Sequence, residues 1–408
     1  MVACDSSLQT LAFETESSWG EDVDTMTSAV ALISPVELTG IAQPMITPER
    51  VVSRRLDGTK GIPGPFSGSI SFSTYLTGFG STTSGSVGSV NDLFTLIGNT
   101  IGTSAVMASA GTTLTGGTAN IPTTTASGTF SAGGLCRVGT LGDGDGDGQF
   151  YAISTHSTTN LTLLNDLHGA PVNGAVLYSG NVAYAADSSC SLTGRRFRVQ
   201  TADGQWVLHG CFPTSFGITG LNPGEIAKCN FTYGFSWAEP VAATFPTTPN
   251  AQVYSPSPNA ADGSCFFNTF GTATSALINL RQFSVDYSLG VTPIVGGNGV
   301  NGYQTITGAT RTKDTITVNI VVDAEGADAT PTYWDAWLTN TNKHLLYTLN
   351  AKDGQATGLY FRSLCWAGNR PTQVSTNGRN TIPLQFMAYN GTTTTSDLTL
   401  SPMVIAGA

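Results

Sequence analysis

Two stretches of this chain show the same order of structural signals, and this repetition constrains the fold more than any other feature. In the first copy, the alternating pattern of FSGSISFSTYL predicts a β-strand and VNDLFTLIGNTI predicts a short amphipathic helix. The second copy repeats that order with DTITVNIVVD and TPTYWDAWL. Each helix signal is followed further along by a pair of strand patterns around a turn signal. We therefore predict a duplicated β-rich domain.

The spacing indicates that the first copy is interrupted. Ile70 in the first strand corresponds to Val318, 248 positions later, whereas Cys211 in the closing strands corresponds to Cys365, only 154 positions later. About 94 additional residues therefore lie between the helix and the closing strands of the first copy. Little outright identity supports the match, and a partial alignment of two unrelated β-rich stretches is the alternative.

We predict a mainly β protein with two tandem sandwich or barrel domains, each flanked by a short helix, and a small inserted β domain. The first domain is expected to comprise 1–104 plus 187–250, the insertion 105–186, and the second domain 251–408. Short strand patterns recur in the second half of the insertion, after a stretch rich in glycine, serine and threonine. Its two ends are expected to lie close together, because the interrupted fold resumes after it.

Composition and charge exclude several classes of function. Only 11% of the residues are charged and the net charge is −10, which disfavours binding to a phosphate backbone through a basic face. No run of about 18 apolar residues predicts a membrane span, and the N-terminus lacks the basic and apolar pattern of a signal peptide. The cysteines are scattered and odd in number, which indicates synthesis in the cytosol without a disulfide framework.

No motif in the sequence predicts catalysis. It lacks a nucleophile elbow, a phosphate-binding loop and a strand-borne dinucleotide fingerprint, and its histidines lack the spacing of a zinc site. His209 and Cys211 could form a thiol–imidazole pair, but residues two apart in an alternating strand share a face in any case. We therefore expect neither enzymatic activity nor a cofactor.

A run of alternating glycine and aspartate at 142–148 is a weak candidate for a metal site. Asp143, Asp145 and Asp147 have the spacing of the first carboxylates of a calcium loop. Position 12 of such a loop would be Ser154 rather than the bidentate glutamate that an EF-hand needs, and the flanking residues predict strands. A solvated acidic turn is the favoured interpretation.

Aromatic residues are expected to serve packing rather than carbohydrate binding. Tyr333, Trp334 and Trp337 are spaced as one face of a helix lying on a sheet, and several other tryptophans fall in strand patterns. Most of them are therefore predicted to lie in the core.

Two connections of about 20 residues, 45–65 and 290–311, stand between predicted strands in corresponding places of the two copies. Loops this long in a compact domain usually have a function. We expect both to stay extended and mobile in the isolated chain and to become ordered against neighbouring molecules. Ordinary hairpin loops are the alternative.

Together these elements resemble the major tail tube proteins of long-tailed bacteriophages. The resemblance rests on LAFETESSWGEDVD, GSISFSTYLTG and HGCFPTSFGITGLNPGEIAKCNFTYGFS in the first copy, and on FSVDYSLG, TITVNIVVD, YWDAWL and TIPLQFMAYNG in the second. It covers most of 1–104 and 187–408 as a pattern of elements, and the insertion lies outside it.

The resemblance implies a structural virion protein of the tail, assembled in the host cytoplasm, whose stacked rings form the conduit for DNA ejection. Each domain would contribute one sheet to an inner barrel around the tape-measure protein, and DNA would pass through without specific binding. Six single-domain chains make a ring in the family, so a fused pair implies a trimer with pseudo-sixfold symmetry. The insertion would lie outside the tube. Tail terminator and tip proteins are further implied partners.

The resemblance also implies which loop residues contact neighbouring subunits and rings. The assembly residues so implied are Arg50, Arg54, Arg55, Asp57, Lys60, Pro63, Val295, Asn298, Asn301 and Tyr303. The alternative function is a β-rich phage or cell-surface adhesin that binds a receptor or a sugar. A hydrolase with an accessory sandwich lacks a recognisable nucleophile or acid–base pair.

Overall fold

The fold is seen in a computed structural model. It describes residues 10–20, 26–33, 36–40, 45–46, 62–63, 68–76, 92–105, 112–119, 121–124, 130–138, 149–157, 159–164, 174, 176–179, 181–185, 192–201, 204–222, 224–241, 264–269, 280–296, 306–324, 329–349, 356–376, 379–389, 398 and 401–407. These residues form mainly antiparallel β-sheet with two short helices, so the predicted mainly β class is confirmed.

The elements follow one another along the chain in four groups. The first contains β1 (Thr10–Thr15), β2 (Ser28–Ala31), β3 (Glu37–Thr39), β4 (Met45–Ile46), β5 (Ile62–Pro63), β6 (Gly68–Tyr75) and α1 (Asp92–Ile101). The second contains β7 (Gly102–Ala105), β8 (Thr112–Gly117), β9 (Pro122–Thr124), β10 (Leu135–Val138), β11 (Phe150–His156), β12 (Leu161–Leu163), β13 (Val176–Ser179) and β14 (Asn181–Ala185). The third contains β15 (Arg195–Thr201), β16 (Gly204–Thr219), β17 (Lys228–Phe235) and β18 (Trp237–Val241). The last contains β19 (Ser264–Thr269), β20 (Leu280–Val295), β21 (Ile306–Asp323), α2 (Ala329–Leu338), β22 (Lys343–Leu349), β23 (Thr357–Trp366), β24 (Val374–Thr376), β25 (Arg379–Ala388) and β26 (Met403–Gly407).

One continuous antiparallel sheet, here termed the broad sheet, runs across the molecule. Its strands pair in the order β3, β6, β17, β16, β20, β21, β25 and β23. Alternation in the sequence explains its two faces, because successive side chains of a strand point to opposite sides. In β6, Ile70 and Phe72 are buried while Ser69, Ser71 and Ser73 are half-buried on the other face.

A second layer of strands packs against the apolar face of the broad sheet. It contains β2, β1, β15 and β18 with the first half of β16, and β19, β22, β26, β14 and β7 with the first half of β23. The ring of Phe197 in this layer lies 4.7 Å from that of Tyr233 in the broad sheet, centroid to centroid. Each fully buried phenylalanine or leucine in such a core stabilises the fold by about 1.5–3 kcal/mol.

The strand β16 belongs to both layers and changes from one to the other at Gly210. Its first half pairs with β18 as far as His209, and its second half pairs with β17 from Phe212 onward. Gly210 has a φ of +58°, and a Cβ atom there would lie 2.4 Å from the Oγ atom of Ser236. Only glycine therefore fits where the strand turns between the layers.

The same six strand pairings occur twice. In the N-terminal set β1 pairs with β15, β15 and β18 with β16, β16 with β17, β17 with β6, and β6 with β3. In the C-terminal set β19 pairs with β22, β22 and β26 with β23, β23 with β25, β25 with β21, and β21 with β20. The elements β1–β6, α1 and β15–β18 are termed the first repeat, and β19–β26 with α2 the second repeat.

A β-bulge at the same place in both repeats fixes their correspondence residue by residue. The register shifts after Arg195 in the first repeat and after Lys343 in the second, where these residues pair with Cys211 and Leu364. The structural counterpart of Cys211 is therefore Leu364, one position before the Cys365 that the sequence match indicated. Strand pairing, rather than the shared cysteine, sets the register.

The chain between the two parts of the first repeat forms its own sheet, here termed the small sheet. Its strands are ordered β12, β11, β10, β13, β8 and β9. The flanking strands β7 and β14 pair with each other in the second layer, with Ala105 opposite Val182. The two ends of the insertion are therefore adjacent, as expected, and 181–185 belong to the second layer rather than to the small sheet.

The helices of the two repeats differ in burial. Helix α1 packs beside β7 and β14, and Leu93, Phe94, Ile97 and Ile101 are fully buried. Helix α2 has no such cover among the described residues, so its Leu338 is 66% exposed. The expectation that Trp334 and Trp337 lie in the core is wrong, since both are only half-buried.

The connection 290–311 is largely regular structure. Residues 291–295 pair with 306–311, so that β20 and β21 continue as a two-stranded arm. The expectation of an extended loop is therefore wrong for these residues. The sequence contains the reason, because Val291, Ile294, Val295 and Ile306 are β-branched residues that favour strands. In the connection 45–65, the described residues form the short hairpin of β4 and β5.

Candidate assembly surfaces

The exposed face of the broad sheet consists mostly of uncharged polar side chains. Strand pairing places the following residues opposite one another on that face: Glu37, Thr39, Ser69, Ser71, Ser73, Ser215, Thr219, Lys228, Asn230, Thr232, Ser284, Asp286, Ser288, Thr315, Thr317, Asn319 and Gln385. This set is termed the polar face. It spans both repeats without a break.

Hydrogen bonds run across the strands of the polar face. The hydroxyl groups of Thr39 and Ser69 lie 2.7 Å apart, and Ser73 donates to Oδ1 of Asn230 at 2.7 Å. Asn230 in turn donates from Nδ2 to Oγ1 of Thr219 at 3.0 Å. These bonds satisfy polar groups within the sheet itself, so the face is a smooth, fixed array of hydroxyl and amide groups.

Charged side chains on the described part of this surface are few and mixed in sign. Glu37 and Asp286 are acidic, and Lys228 is basic. Near one end, Arg281 donates to Asp323 at 2.6 Å, and this hydrogen bond lowers the pKa of Asp323. Tight binding of a phosphate backbone requires several lysine or arginine contacts along its path. This arrangement provides little attraction for nucleic acid.

The broad sheet has two edges without a partner on the outer side among the described residues. One is β3, which pairs only with β6, and the other is formed by the C-terminal end of β23 and by β24, which both pair with β25. Unpaired amide and carbonyl groups at a sheet edge readily pair with another chain. The two edges belong to different repeats.

The arm formed by β20 and β21 is packed along β21 and exposed along β20. Ile306 and Ala309 of β21 pack against Phe212 of the first repeat, and the amide of Leu192 donates to the carbonyl of Ala309 at 3.1 Å. At the tip, Val295 of β20 is 69% exposed, whereas Ile306 directly opposite it is buried. An apolar side chain held out on a paired arm is typical of a contact surface.

Among the described residues are only two of the assembly residues that the resemblance implied. Val295 lies at the tip of the arm, and Pro63 pairs with Met45 in the hairpin of β4 and β5. The others lie outside the described residues: Arg50, Arg54, Arg55, Asp57, Lys60, Asn298, Asn301 and Tyr303. The calcium candidates Asp143, Asp145 and Asp147 also lie outside them.

Sequence reasoning led us to expect open sheet edges, but it identified neither the polar face nor the strands that form the two edges. The signal for the face was present in GSISFST, where serine and threonine alternate with apolar residues. The signal for the edges was not, because whether a strand is central or lateral depends on which distant strands pair beside it.

His209 and Cys211, the residues considered as a thiol–imidazole pair, are both fully buried. The imidazole of His209 stacks on the indole of Trp237 at 3.7 Å, and its Nε2 atom lies 3.2 Å from Oε1 of Glu239. Burial raises the pKa of the Cys211 thiol well above its usual range, and nearby Glu16 adds to the effect. A thiol that stays protonated is a poor nucleophile.

A buried carboxyl group, that of Glu16, lies where β16 changes layers. Its oxygens accept hydrogen bonds from the amides of Gly20 and Gly210, both at 2.8 Å. Burial raises the pKa of Glu16 to about 6, although these two amides and the nearby Arg196 and Arg195 act in the opposite direction. These hydrogen bonds fix the turn of β16.

Metal and membrane sites are not seen in the described part of the chain. Its histidine, cysteine, aspartate and glutamate side chains form no group of three or more that could hold a metal ion. Neither described helix is long and apolar enough to cross a membrane. Comparisons of the sequence with known protein families and with curated proteins found no match.

Proposed function

We propose that this protein is a structural virion protein that polymerises into stacked rings and forms the tail tube of a bacteriophage. The observation that carries the proposal is that two repeats of one fold join edge to edge into a single sheet that is open at both ends. Such a chain extends by adding further copies of itself at its edges. No chemical step is required of it.

The joint between the repeats supports edge-to-edge growth. Residues Ser215–Ile218 of β16 pair antiparallel with Val285–Ser288 of β20, so the sheets of the two repeats are continuous. The two repeats have the same strand pairings. The same type of joint can therefore form between the second repeat of one molecule and the first repeat of the next. Rings are the closed outcome of such head-to-tail contacts.

Three chains per ring follow from the fused pair if the ring holds six repeats, as the resemblance to tail tube proteins implies. The ring then has exact threefold and approximate sixfold symmetry. Head-to-tail contacts between molecules give a ring when the rotation from one molecule to the next closes on itself, and stacked rings give the tube.

The polar face supports the assignment of a lumen. A conduit through which DNA slides should not bind it, and this face offers hydroxyl and amide groups already hydrogen-bonded to one another, together with few basic side chains. The net charge of −10 adds general repulsion. We therefore assign the polar face to the lumen, where it would also face the tape-measure protein.

The arm and the insertion occupy the remaining surfaces in this proposal. The exposed tip at Val295 and the loop residues from Arg50 to Lys60 would contact neighbouring rings. The small sheet packs on the second layer, on the side away from the polar face, and would therefore lie outside the tube. Tail terminator and tip proteins would bind the end rings. The site of action is the virion tail, after assembly in the host cytoplasm.

Negative-stain electron microscopy of the purified protein tests the proposal. We expect rings of three chains, or hollow tubes with a bore of uniform width, and light scattering that grows with protein concentration. A monomer at all concentrations, or a solid fibre with a ligand-dependent rise in melting temperature, would contradict the tube and favour the adhesin.

A further inference from the structure

A pocket of about 470 Å³ lies in the second repeat, where β20, β21, β25 and β24 run side by side. Its size is within the range of about 300–1,000 Å³ that is typical of ligand pockets. Three apolar residues, Val321, Val374 and Pro383, and two arginines, Arg281 and Arg379, line it. It is here termed the arginine-rimmed pocket.

Strand register places the arginine-rimmed pocket on the polar face. Val321 lies opposite both Gln282 and Pro383, and successive side chains of a strand alternate between the two faces of a sheet. Val321 is two residues from Asn319 and Pro383 is two residues from Gln385, and both of these belong to the polar face. The pocket therefore lies on the surface that we assign to the lumen.

Strand pairing identifies the residues that occupy the same place in the first repeat. Val321 lies opposite Pro383, and Ser73 of β6 lies opposite Asn230 of β17. Ser73 precedes Val321 by 248 positions, which is the spacing that the sequence match gave for these two strands. Asn230 precedes Pro383 by 153 positions, which is the spacing of the counterparts that the two β-bulges define. Ser73 and Asn230 are therefore the counterparts of Val321 and Pro383.

The third apolar residue of the pocket has a counterpart in the same way. Val374 of β24 pairs with Thr381, and in the first repeat Thr219 pairs with Lys228. Lys228 precedes Thr381 by the same 153 positions. Thr219 is therefore the counterpart of Val374.

The two repeats differ in chemistry at these three positions. In the first repeat, Ser73, Asn230 and Thr219 form one chain of hydrogen bonds across the sheet. In the second repeat, the counterparts are two valines and a proline, whose side chains cannot form hydrogen bonds, and Val374 is 44% exposed. The duplicated face therefore carries this apolar pocket once per chain, because hydrogen-bonded polar side chains occupy the equivalent place in the first repeat.

The charged side chains beside the pocket leave it positive. Arg281 donates to Oδ1 of Asp323 at 2.6 Å, and this hydrogen bond, together with the charge of Arg379, lowers the pKa of Asp323. Asp323 therefore stays ionised and neutralises one of the two arginines. Because Arg379 is exposed to solvent, these three side chains offer one positive charge to a partner, in a chain whose net charge is −10.

We propose that the arginine-rimmed pocket binds a polypeptide segment in which an aliphatic side chain stands next to a carboxylate. The aliphatic side chain would cover Val321, Val374 and Pro383, and the carboxylate would accept hydrogen bonds from the guanidinium of Arg379. The inference rests on the proposed function for the source of the segment, which is a protein held in the lumen. The chemistry of the site follows from the pocket itself.

A nucleic acid fits this pocket less well than a polypeptide does. Its phosphates could contact Arg379, but tight binding requires several basic contacts along the backbone, and the described side chains of the polar face are mostly uncharged. Apolar side chains on an otherwise polar surface instead favour a partner that removes them from water.

The difference between the repeats sets the stoichiometry. A site common to both repeats would bind two segments per chain, whereas the arginine-rimmed pocket binds one. In a ring of three chains, three pockets would face the lumen. They would therefore have the exact threefold symmetry of the ring and not the approximate sixfold symmetry of the repeats.

Binding of short peptides to the full-length chain tests the proposal. The probe is the acetylated and amidated peptide Ser-Leu-Glu-Leu-Ser, and two matched probes replace its glutamate by glutamine or both of its leucines by serine. Saturation-transfer NMR gives the affinities, and it applies to single chains and to rings alike. Relative to the first peptide, we expect at least about tenfold weaker binding of the serine peptide and about fivefold weaker binding of the glutamine peptide.

Exchanging the pocket residues for those of the first repeat locates the site. Val321→Ser, Pro383→Asn and Val374→Thr together introduce the hydrogen-bonding set that the first repeat already contains, and they should remove binding of the peptide. Arg379→Gln is at an exposed position and keeps the test valid if the triple variant does not fold. It should weaken binding of the glutamate peptide about fivefold and leave binding of the glutamine peptide unchanged.

Lys228→Gln is the matched control, because it removes a positive charge from the polar face outside the pocket and should leave all affinities unchanged. Equal binding of the three peptides, or peptide binding that the pocket substitutions do not alter, would overturn the inference. Tighter binding of a single-stranded oligonucleotide than of the glutamate peptide, with loss of that binding in Arg379→Gln, would also overturn it. Rings that bind no peptide would overturn the inference and leave the tube proposal standing. Peptide binding by a chain that never assembles would support the pocket and overturn the tube.

Discussion

Glu16 shows how one buried side chain couples the fold to pH. Its carboxyl group holds the turn of β16 through the amides of Gly20 and Gly210, in a place where burial raises its pKa to about 6. In the unfolded chain a glutamate titrates near pH 4.3. A carboxyl with a raised pKa in the folded state favours folding most when it is protonated, and this contribution is lost as the pH rises through about 6.

We predict that Glu16→Gln removes this pH dependence. Between about pH 4.5 and pH 7, the free energy of unfolding of the wild type should fall by about 2 kcal/mol relative to that of the variant. His344, whose pKa burial and Lys343 lower to about 4, acts in the opposite direction but equally in both proteins. Urea denaturation of the two proteins across this range provides the measurement, and parallel curves would refute the prediction.

Helices α1 and α2 show how one element acquires two environments. Both have ten residues and both follow the corresponding strand of their repeat. The sequence predicted both helices and their apolar faces, because spacing along a helix is a local property. It could not show that β7 and β14 cover α1, while α2 lies beside an open sheet edge. For this reason the predicted core position of Trp334 and Trp337 was wrong.

Alanine substitution at the last residue of each helix should separate the two environments. Ile101→Ala removes a fully buried side chain and should lower the free energy of unfolding by about 2–5 kcal/mol. Leu338→Ala should change it by less than about 0.5 kcal/mol, as expected for a surface position. Thermal denaturation at low protein concentration, where the chain is unassembled, gives both values. Equal losses would show that α2 is buried in the monomer.

At the scale of the whole molecule, the insertion interrupts the sequence of the first repeat, but its small sheet packs on the second repeat. Leu135 and Phe150 of the small sheet lie in one apolar cluster with Leu346 and Tyr360 of the second layer. The equivalent surface of the first repeat is occupied differently. The counterparts of Leu346 and Tyr360 there are Arg198 and Val207, and Val207 packs in a separate apolar cluster with Met26.

Loss of this contact should loosen the second repeat selectively. Phe150→Ala removes a fully buried ring that lies against Gly358, and should cost about 3–5 kcal/mol and speed amide exchange in β22 and β23. Leu114→Ala, in the separate apolar cluster of the small sheet, is the control. It should destabilise the small sheet without exposing β23. Equal exchange in β23 in both variants would argue against direct cover by Phe150.

The sequence alone determined the mainly β class and the positions of both helices, and it predicted a repeated order of elements with an interruption in the first copy. Alternation with a period of two and helical spacing are local, so they can be read without knowing what lies beside them. Only the tertiary structure showed which residue corresponds to Cys211 and that β20 and β21 continue as an arm. It also showed that β7 and β14 cover α1 and that the insertion packs on the second repeat. Each of these depends on pairing between residues far apart in the chain, where a shift of one residue turns every side chain of a strand to the other face.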